Sequence, residues 1–251
     1  MVSKPNLTIS HTLSTLSVFF VLIVWQIYAI KVGNPYLMPE PIQVFKDLVG
    51  LLGEWRTYKI ILTTLSRLFV SIGLATFFGL TLGLISGIRY QVEALLKPIV
   101  ISLRTLPVIS IIVVVLILYG NTSSLYIISF LLLFPLIYQS ELDGIKNIDP
   151  LLIEALKLDC KNCSWPAVKM VFFPLSLPFL RTGILQSAGL GIKVLVVAEF
   201  ISQKSPSIGR ELYFNRINLE YSKVFAWTMI LIFIVLVIEH LVNRYLKYSL
   251  K

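Results

Sequence analysis

Apolar residues in this chain come in long unbroken runs, and the runs are what define its elements. Thr12–Ile30 carries no charge, and Ile60–Ile88 is interrupted by one charged residue, Arg67. From Thr105 to Ser140 no charged residue occurs at all. A helix crosses the hydrocarbon layer with about 20 residues, so that last run is too long for one crossing. The turn-forming string Gly120-Asn121-Thr122-Ser123-Ser124 divides it, giving spans at Pro98–Tyr119 and Leu125–Gln139. Phe179–Ser202 and Val224–Leu246 complete the series. Strand-like alternation is absent, which favours helices over a barrel. The pattern predicts an all-α membrane protein: one domain over residues 1–251, with six transmembrane helices at 12–30, 60–88, 98–119, 125–139, 179–202 and 224–246.

One polar island stands out against this background, "IDPLLIEALKLDCKNCSWPAVKMVFFPLSLP" at residues 148–178, most of it within a cytoplasmic loop expected over about 141–175. Asp149-Pro150 reads as a helix start, Asp as N-cap and Pro in the first turn. Leu151, Leu152, Ala155, Leu156 and Leu158 follow as an apolar face, with Glu154 and Lys157 off it. A second amphipathic segment runs from Ser164 to Phe173. Two short helices joined by the turn Asp159–Cys163 are expected to lie along the membrane surface, a docking knob for a soluble partner. Pro174 and Pro178 each lack an N–H and disfavour helix in the preceding residue, so they are expected to break the chain direction into the fifth span. Elsewhere, "LMPEPIQVFKDLVGLLGEW" reads as a short helix on the bundle or the interface.

Composition agrees: 57% of residues are hydrophobic and 14% charged, with a mean hydropathy of +0.85. A soluble chain carries nearer a quarter of charged residues. The net charge of +9 comes from scattered residues without a basic run or interleaved aromatics, which excludes a nucleic-acid reading. Thr12–Ile30 is longer than a signal-peptide core and reads as an uncleaved anchor. Lysines and arginines are slightly in excess on the segments that lie inside if both termini are cytoplasmic. Cys160-x-x-Cys163 lies in the island's turn. A structural zinc site needs four ligands, no second cysteine pair exists, and His11 and His240 sit near opposite chain ends. The pair therefore reads as reduced and structural, with no metal.

Gly79, Gly83 and Gly87 recur every four residues on the second span, as do Gly183, Ser187 and Gly191 on the fifth. Such stripes let a neighbouring helix approach closely, either within the chain or from a partner subunit. Charges within spans mark a snorkelling end or a functional interior. Arg67, Arg104 and Arg181 sit near span ends, and snorkelling accounts for them. Lys193 lies roughly 22 Å beyond Pro178 along the helix, too deep for that. Glu199 is about 120° further round and about 9 Å along, so the two cannot pair on one straight helix. Lys193 and Glu199 are candidate pathway residues, with a satisfied interhelical ion pair as the alternative for Lys193.

Glu154-Ala155, followed by Val171-Phe172-Phe173-Pro174-Leu175-Ser176-Leu177-Pro178, resembles the "EAA" loop of ABC-importer permeases. "YLMPEPIQVFKDL", "TTLSRLFVSIGLATFFGLTLGLISGI", "LKPIVISLRTLPVISIIVVVLILYG" and "VVAEFISQKSPSIGREL" resemble further segments of the nitrate/sulfonate/taurine branch, in the right order. Leu156 stands where the family has a second alanine, and Asp159-Cys160-Lys161 where it has the loop glycine. The resemblance implies a type I importer permease in a bacterial inner membrane, a homodimer with the substrate path on its interface. It implies ATPase subunits inside, holding ATP and Mg, and an extracytoplasmic solute-binding protein outside. Coupling would run through Leu152, Glu154, Ala155, Leu156 and Asp159. The solute would be a sulfonate, nitrate or a vitamin precursor. The chain has no G-x-x-x-x-G-K-[ST], so it is not expected to hydrolyse ATP or bind a cofactor itself. The competing readings are a stand-alone secondary transporter or channel, which predicts broken helices not visible in the sequence, and an intramembrane enzyme, for which no catalytic constellation exists.

Overall fold

Helices that cross a bilayer must satisfy every backbone polar group internally, and the described residues are helical nearly throughout. The computed structural model describes residues 7–120, 122–159, 165–204 and 206–249. The elements are α1 (Leu7–Val32), α2 (Pro41–Gly53), α3 (Trp55–Ile88), α4 (Tyr90–Thr105), α5 (Val108–Tyr119) and α6 (Ser124–Lys146). They continue as α7 (Pro150–Asp159), α8 (Trp165–Ala167), a π-helical turn (Val168–Phe172), α9 (Phe173–Ser202), α10 (Ile208–Ile217) and α11 (Tyr221–Ser249). Four stretches are long and apolar enough to cross a membrane: Trp55–Ile88, Ser124–Lys146, Val168–Ser202 and Tyr221–Leu241. The pair α4 and α5 makes a fifth if counted as one broken span, and the apolar part of α1 is the shorter Phe19–Val32.

Two expectations are corrected at prolines. The third span is not a straight helix over 98–119, because α4 and α5 meet at a bend of 103°. Leu106 is extended (φ −64°, ψ 137°), as the residue before a proline prefers, and Pro107 then starts the next helix. A broken helix that the apolar pattern concealed is therefore present. Conversely, Pro174 and Pro178 do not break the chain: Val168–Ser202 is one helical stretch. The π turn ends where the Phe173 N–H reaches back to the Val168 carbonyl, one residue further than in an α-helix. A proline in an α-helix presses on the carbonyl four residues earlier, and the widened turn makes room for Pro174.

The contacts form two compact units, Met1–Lys59 with Glu211–Ile232, and Ile60–Arg210 with Phe233–Lys251. In the smaller one, the Trp25 indole donates to the Pro39 carbonyl at 3.1 Å and stacks on Phe225 at 5.4 Å. Val44 of α2 is buried, whereas Ile42, Phe45, Val49 and Leu52 form an exposed apolar stripe. The larger unit is organised round α6. Leu133, Phe134, Ile137, Tyr138 and Leu142 pack there with Ala75, Val100 and Leu180.

Both small-residue stripes serve packing within the chain. A Cβ placed on Gly79 would lie 2.9 Å from Ile137, on Gly83 2.8 Å from Glu141, and on Gly87 2.5 Å from Ile145. On α9, a Cβ at Gly183 would meet Ser140 at 2.6 Å, and one at Gly191 would meet Leu68 at 2.9 Å; Ser187 is buried. Glycine is required because real Cβ atoms cannot approach so closely. Gly73, on the same α3 helix, has open space beside it. Gly87→Ala is expected to lower the stability of the detergent-solubilised protein by about 1–3 kcal/mol through overpacking. Gly73→Ala should leave it unchanged or raise it by about 0.5–1 kcal/mol, and thermal melts of the two variants make the comparison.

Candidate functional site

The polar island is held by one face and bare on the other. Asp149 caps α7, its carboxylate accepting the Leu151 N–H at 2.9 Å, as the Asp-Pro pair predicts. Ile153 and Leu156 pack on a small core of Ile145, Ile148, Ala167 and Phe172, together with Leu84 and Ile88 of α3. Leu151, Leu152 and Glu154 point away from that core; Leu151 is 72% and Leu152 40% exposed. Leu156 is half-buried against that core. The side chains of Ala155 and Asp159, and all of Cys160 and Cys163, lie outside the described residues. Only the Trp165–Ala167 turn and the π turn separate that region from α9, so the expected second surface helix is the lead-in to the fifth span.

Arg67 does not snorkel. The second span begins at Trp55, so Arg67 lies about 18 Å along α3 and is 3% exposed. Its guanidinium meets Glu199 at 2.8 Å, and the Thr64 hydroxyl donates to the same carboxylate at 3.0 Å. The backbone N–H of Gly209 also donates to Glu199, at 3.3 Å, and that of Ile208 donates to the Thr64 oxygen at 3.2 Å. The carboxylate therefore holds the first turn of α10 against α9. Only glycine fits at 209, where a Cβ would lie 2.3 Å from the Val196 carbonyl.

Lys193 sits about 120° round α9 from Glu199 and is exposed, with no ion pair to another described residue. Thr182 and Gln186 are exposed on the same face. The three form a polar stripe about 16 Å long on the exposed face of α9. Beside it, a Cβ on Gly189 would lie 3.8 Å from the Glu239 carboxylate of α11. Thr182 and Gln186 escaped the sequence reading although their spacing from Lys193 (eleven and seven positions) is helical. Glu141 was missed because the fourth span was ended at Gln139; it lies within α6 and is fully buried. Arg67→Met, which leaves Glu199 buried without its countercharge, is expected to destabilise the protein by about 3–5 kcal/mol. The double variant Arg67→Met/Glu199→Met should recover part of that loss, as read from thermal melts of the purified variants.

Comparison with known proteins agrees with this architecture. The taurine transport system permease protein of Escherichia coli (strain K12) is 26% identical over 188 residues, 71% of this chain and 66% of that protein. The putative aliphatic sulfonates transport permease protein of Bacillus subtilis (strain 168) is 27% identical over 217 residues, 84% of this chain and 76% of that protein. Among solved structures, a chain of the MetNI methionine ABC transporter in an inward facing conformation superposes with a TM-score of 0.67. It shares 17% identity, over 77% of this chain and 96% of that one, and so shares the fold. The sequence profile of one transport family matches residues 79–249, from the glycine stripe of α3 to the end of α11. The chain belongs to the binding-protein-dependent transport system inner membrane components.

Proposed function

We propose that the chain is the membrane-spanning subunit of an ATP-driven importer, gripped at α7 by a separate ATPase and carrying a small polar or anionic solute along the exposed face of α9. The observation that carries this reading is the division of α7. Its inner side is fixed to the bundle through Ile153 and Leu156, while Leu151, Leu152 and Glu154 are free to enter a groove on a partner. Glu154 is placed for a charge-assisted contact with a basic group there, stronger than a neutral hydrogen bond. Force applied to α7 can pass through its shared core with Ala167 and Phe172 into Val168–Ser202, one helical stretch with no break at Pro174 or Pro178.

The polar stripe supports the rest. A lysine at mid-span facing lipid costs on the order of 2.5–3.5 kcal/mol even on the most lenient scales, so the face of Lys193 belongs against protein or water. A second copy of the chain placing its own stripe opposite would line a path from both sides. An ammonium in that path suits an anion, and the similar proteins of Escherichia coli and Bacillus subtilis are named for taurine and aliphatic sulfonates. In this arrangement both termini are cytoplasmic. A solute-binding protein delivers the cargo outside, and ATP and Mg bind the partner, since this chain lacks the phosphate-cradling motif. The bent pair α4–α5 is the one feature that favours a second reading, a transporter working alone, because broken helices line the sites of such proteins.

Reconstitution of the complete complex in liposomes tests both. Leu152→Asp and Glu154→Ala are expected to leave ATP hydrolysis present and to lower ATP-driven uptake by tenfold or more in at least one variant. Normal uptake in both would remove α7 as the handle, and uptake by the chain without an ATPase would establish the second reading. Lys193→Met should assemble normally and lose uptake of a sulfonate. Unchanged uptake would take the lysine out of the path.

A further inference from the structure

Glu141 is fully buried, and only half of its carboxylate is used: Oε1 accepts the Ser176 hydroxyl at 2.7 Å, whereas Oε2 has no partner. One turn earlier on the same face of α6, the Tyr138 hydroxyl is also buried and unpartnered, and so is the Ser86 hydroxyl of α3. Ser86 and Tyr138 are neighbours, and by distance and angle neither hydroxyl has a hydrogen-bond partner. Among the described residues, every buried side-chain polar atom without a partner, the Trp227 indole excepted, lies on α3, α6 or α9. These are the helices whose glycines bring them into closest approach.

Each buried group left without a hydrogen bond costs about 1–3 kcal/mol. Phenylalanine at 138, alanine at 86 and leucine at 141 would fill nearly the same space without that cost. We propose that this polar cluster is built for a second packing of α3, α6 and α9, one that alternates with the present packing during transport and in which its free groups bond to one another. The surfaces allow it. Over Gly79, Gly83 and Gly87 the α3 helix presents bare backbone to Ile137, Glu141 and Ile145 of α6, with no side chain of its own in between. In that second packing the Ser86 hydroxyl would bond to Tyr138 or to the free Glu141 oxygen. Two discrete packings with different bonding make a bistable element, which is what an alternating transporter needs. The cluster also lies close to the coupling region: Ser176 is one turn into α9, and the Lys146–Glu93 ion pair lies at the same end of α6. This inference rests on the importer reading insofar as it assumes alternation.

Removing an unpartnered group and removing a bonded one should have opposite effects on stability. In the reconstituted complex, Tyr138→Phe and Ser86→Ala are expected to assemble, to melt at the same or a higher temperature, and to lower ATP-driven uptake at least fivefold, because the alternative packing has lost its bonds. Ser176→Ala, which deletes a bond present here, should lower the melting temperature. If Tyr138→Phe lowers melting temperature and uptake together, the hydroxyl is already satisfied in this packing and the proposal is overturned. Normal uptake in both Tyr138→Phe and Ser86→Ala overturns it as well. Leu152→Asp, run in parallel, separates the two ideas. Uncoupling there with normal uptake in both Tyr138→Phe and Ser86→Ala sinks the cluster alone, and normal uptake in both Leu152→Asp and Glu154→Ala with impaired uptake in the cluster variants sinks the α7 handle alone.

Discussion

The close approach of α3 and α9 to α6 is the constraint on which the larger unit depends. Lipid gives helices no hydrophobic reason to associate, so contact has to come from packing and from polar bonds between them. Glycines at 79, 83, 87, 183 and 191 bring backbone within reach of Ile137, Glu141, Ile145, Ser140 and Leu133. Once that spacing is set, the small core of Ile145, Ile148, Ala167 and Phe172 can form at the end of α6, and α7 has a seat.

Buried charge is the second organising element. The Arg67–Glu199 pair ties α3 to α9, and through Thr64 and two backbone N–H groups it also fixes the start of α10. An ion pair taken out of water seldom gains much net stability, but it specifies one arrangement, because any other leaves a charge unpaired. Lys193 on the outer face of the same helix has no such tie. One helix thus carries a locked charge on its inner side and a free one on its outer side.

The class of the protein and most of its spans were legible in the chain because long apolar runs have few explanations. The cap at Asp149 and the glycine stripes were legible too, since each follows from one residue type at one spacing. What escaped depended on where helices begin. Extending α3 back to Trp55 and the fifth span back to Val168 turns Arg67 from an end residue into a core residue. Extending α6 to Lys146 does the same for Glu141. Proline was read by a uniform rule, yet Pro107 breaks a helix whereas Pro174 and Pro178 are absorbed into one. The difference lies in the turn before Pro174, and hydrophobicity carries no record of that geometry. α7 is apolar on two sides, and only the core shows that Leu156 packs on the inner one.

The π turn at Val168–Phe172 makes angle a function of length. One extra residue is accommodated in a single widened turn, and each residue of an α-helix corresponds to about 100° of rotation. Deleting one residue there would restore a regular turn and swing whatever precedes it round the axis of α9 by about that amount. A related chain differing by one residue at this joint would present the segment before it on another bearing. Insertions and deletions near this joint therefore act as a setting of direction, in a region where a surface loop would absorb them without consequence.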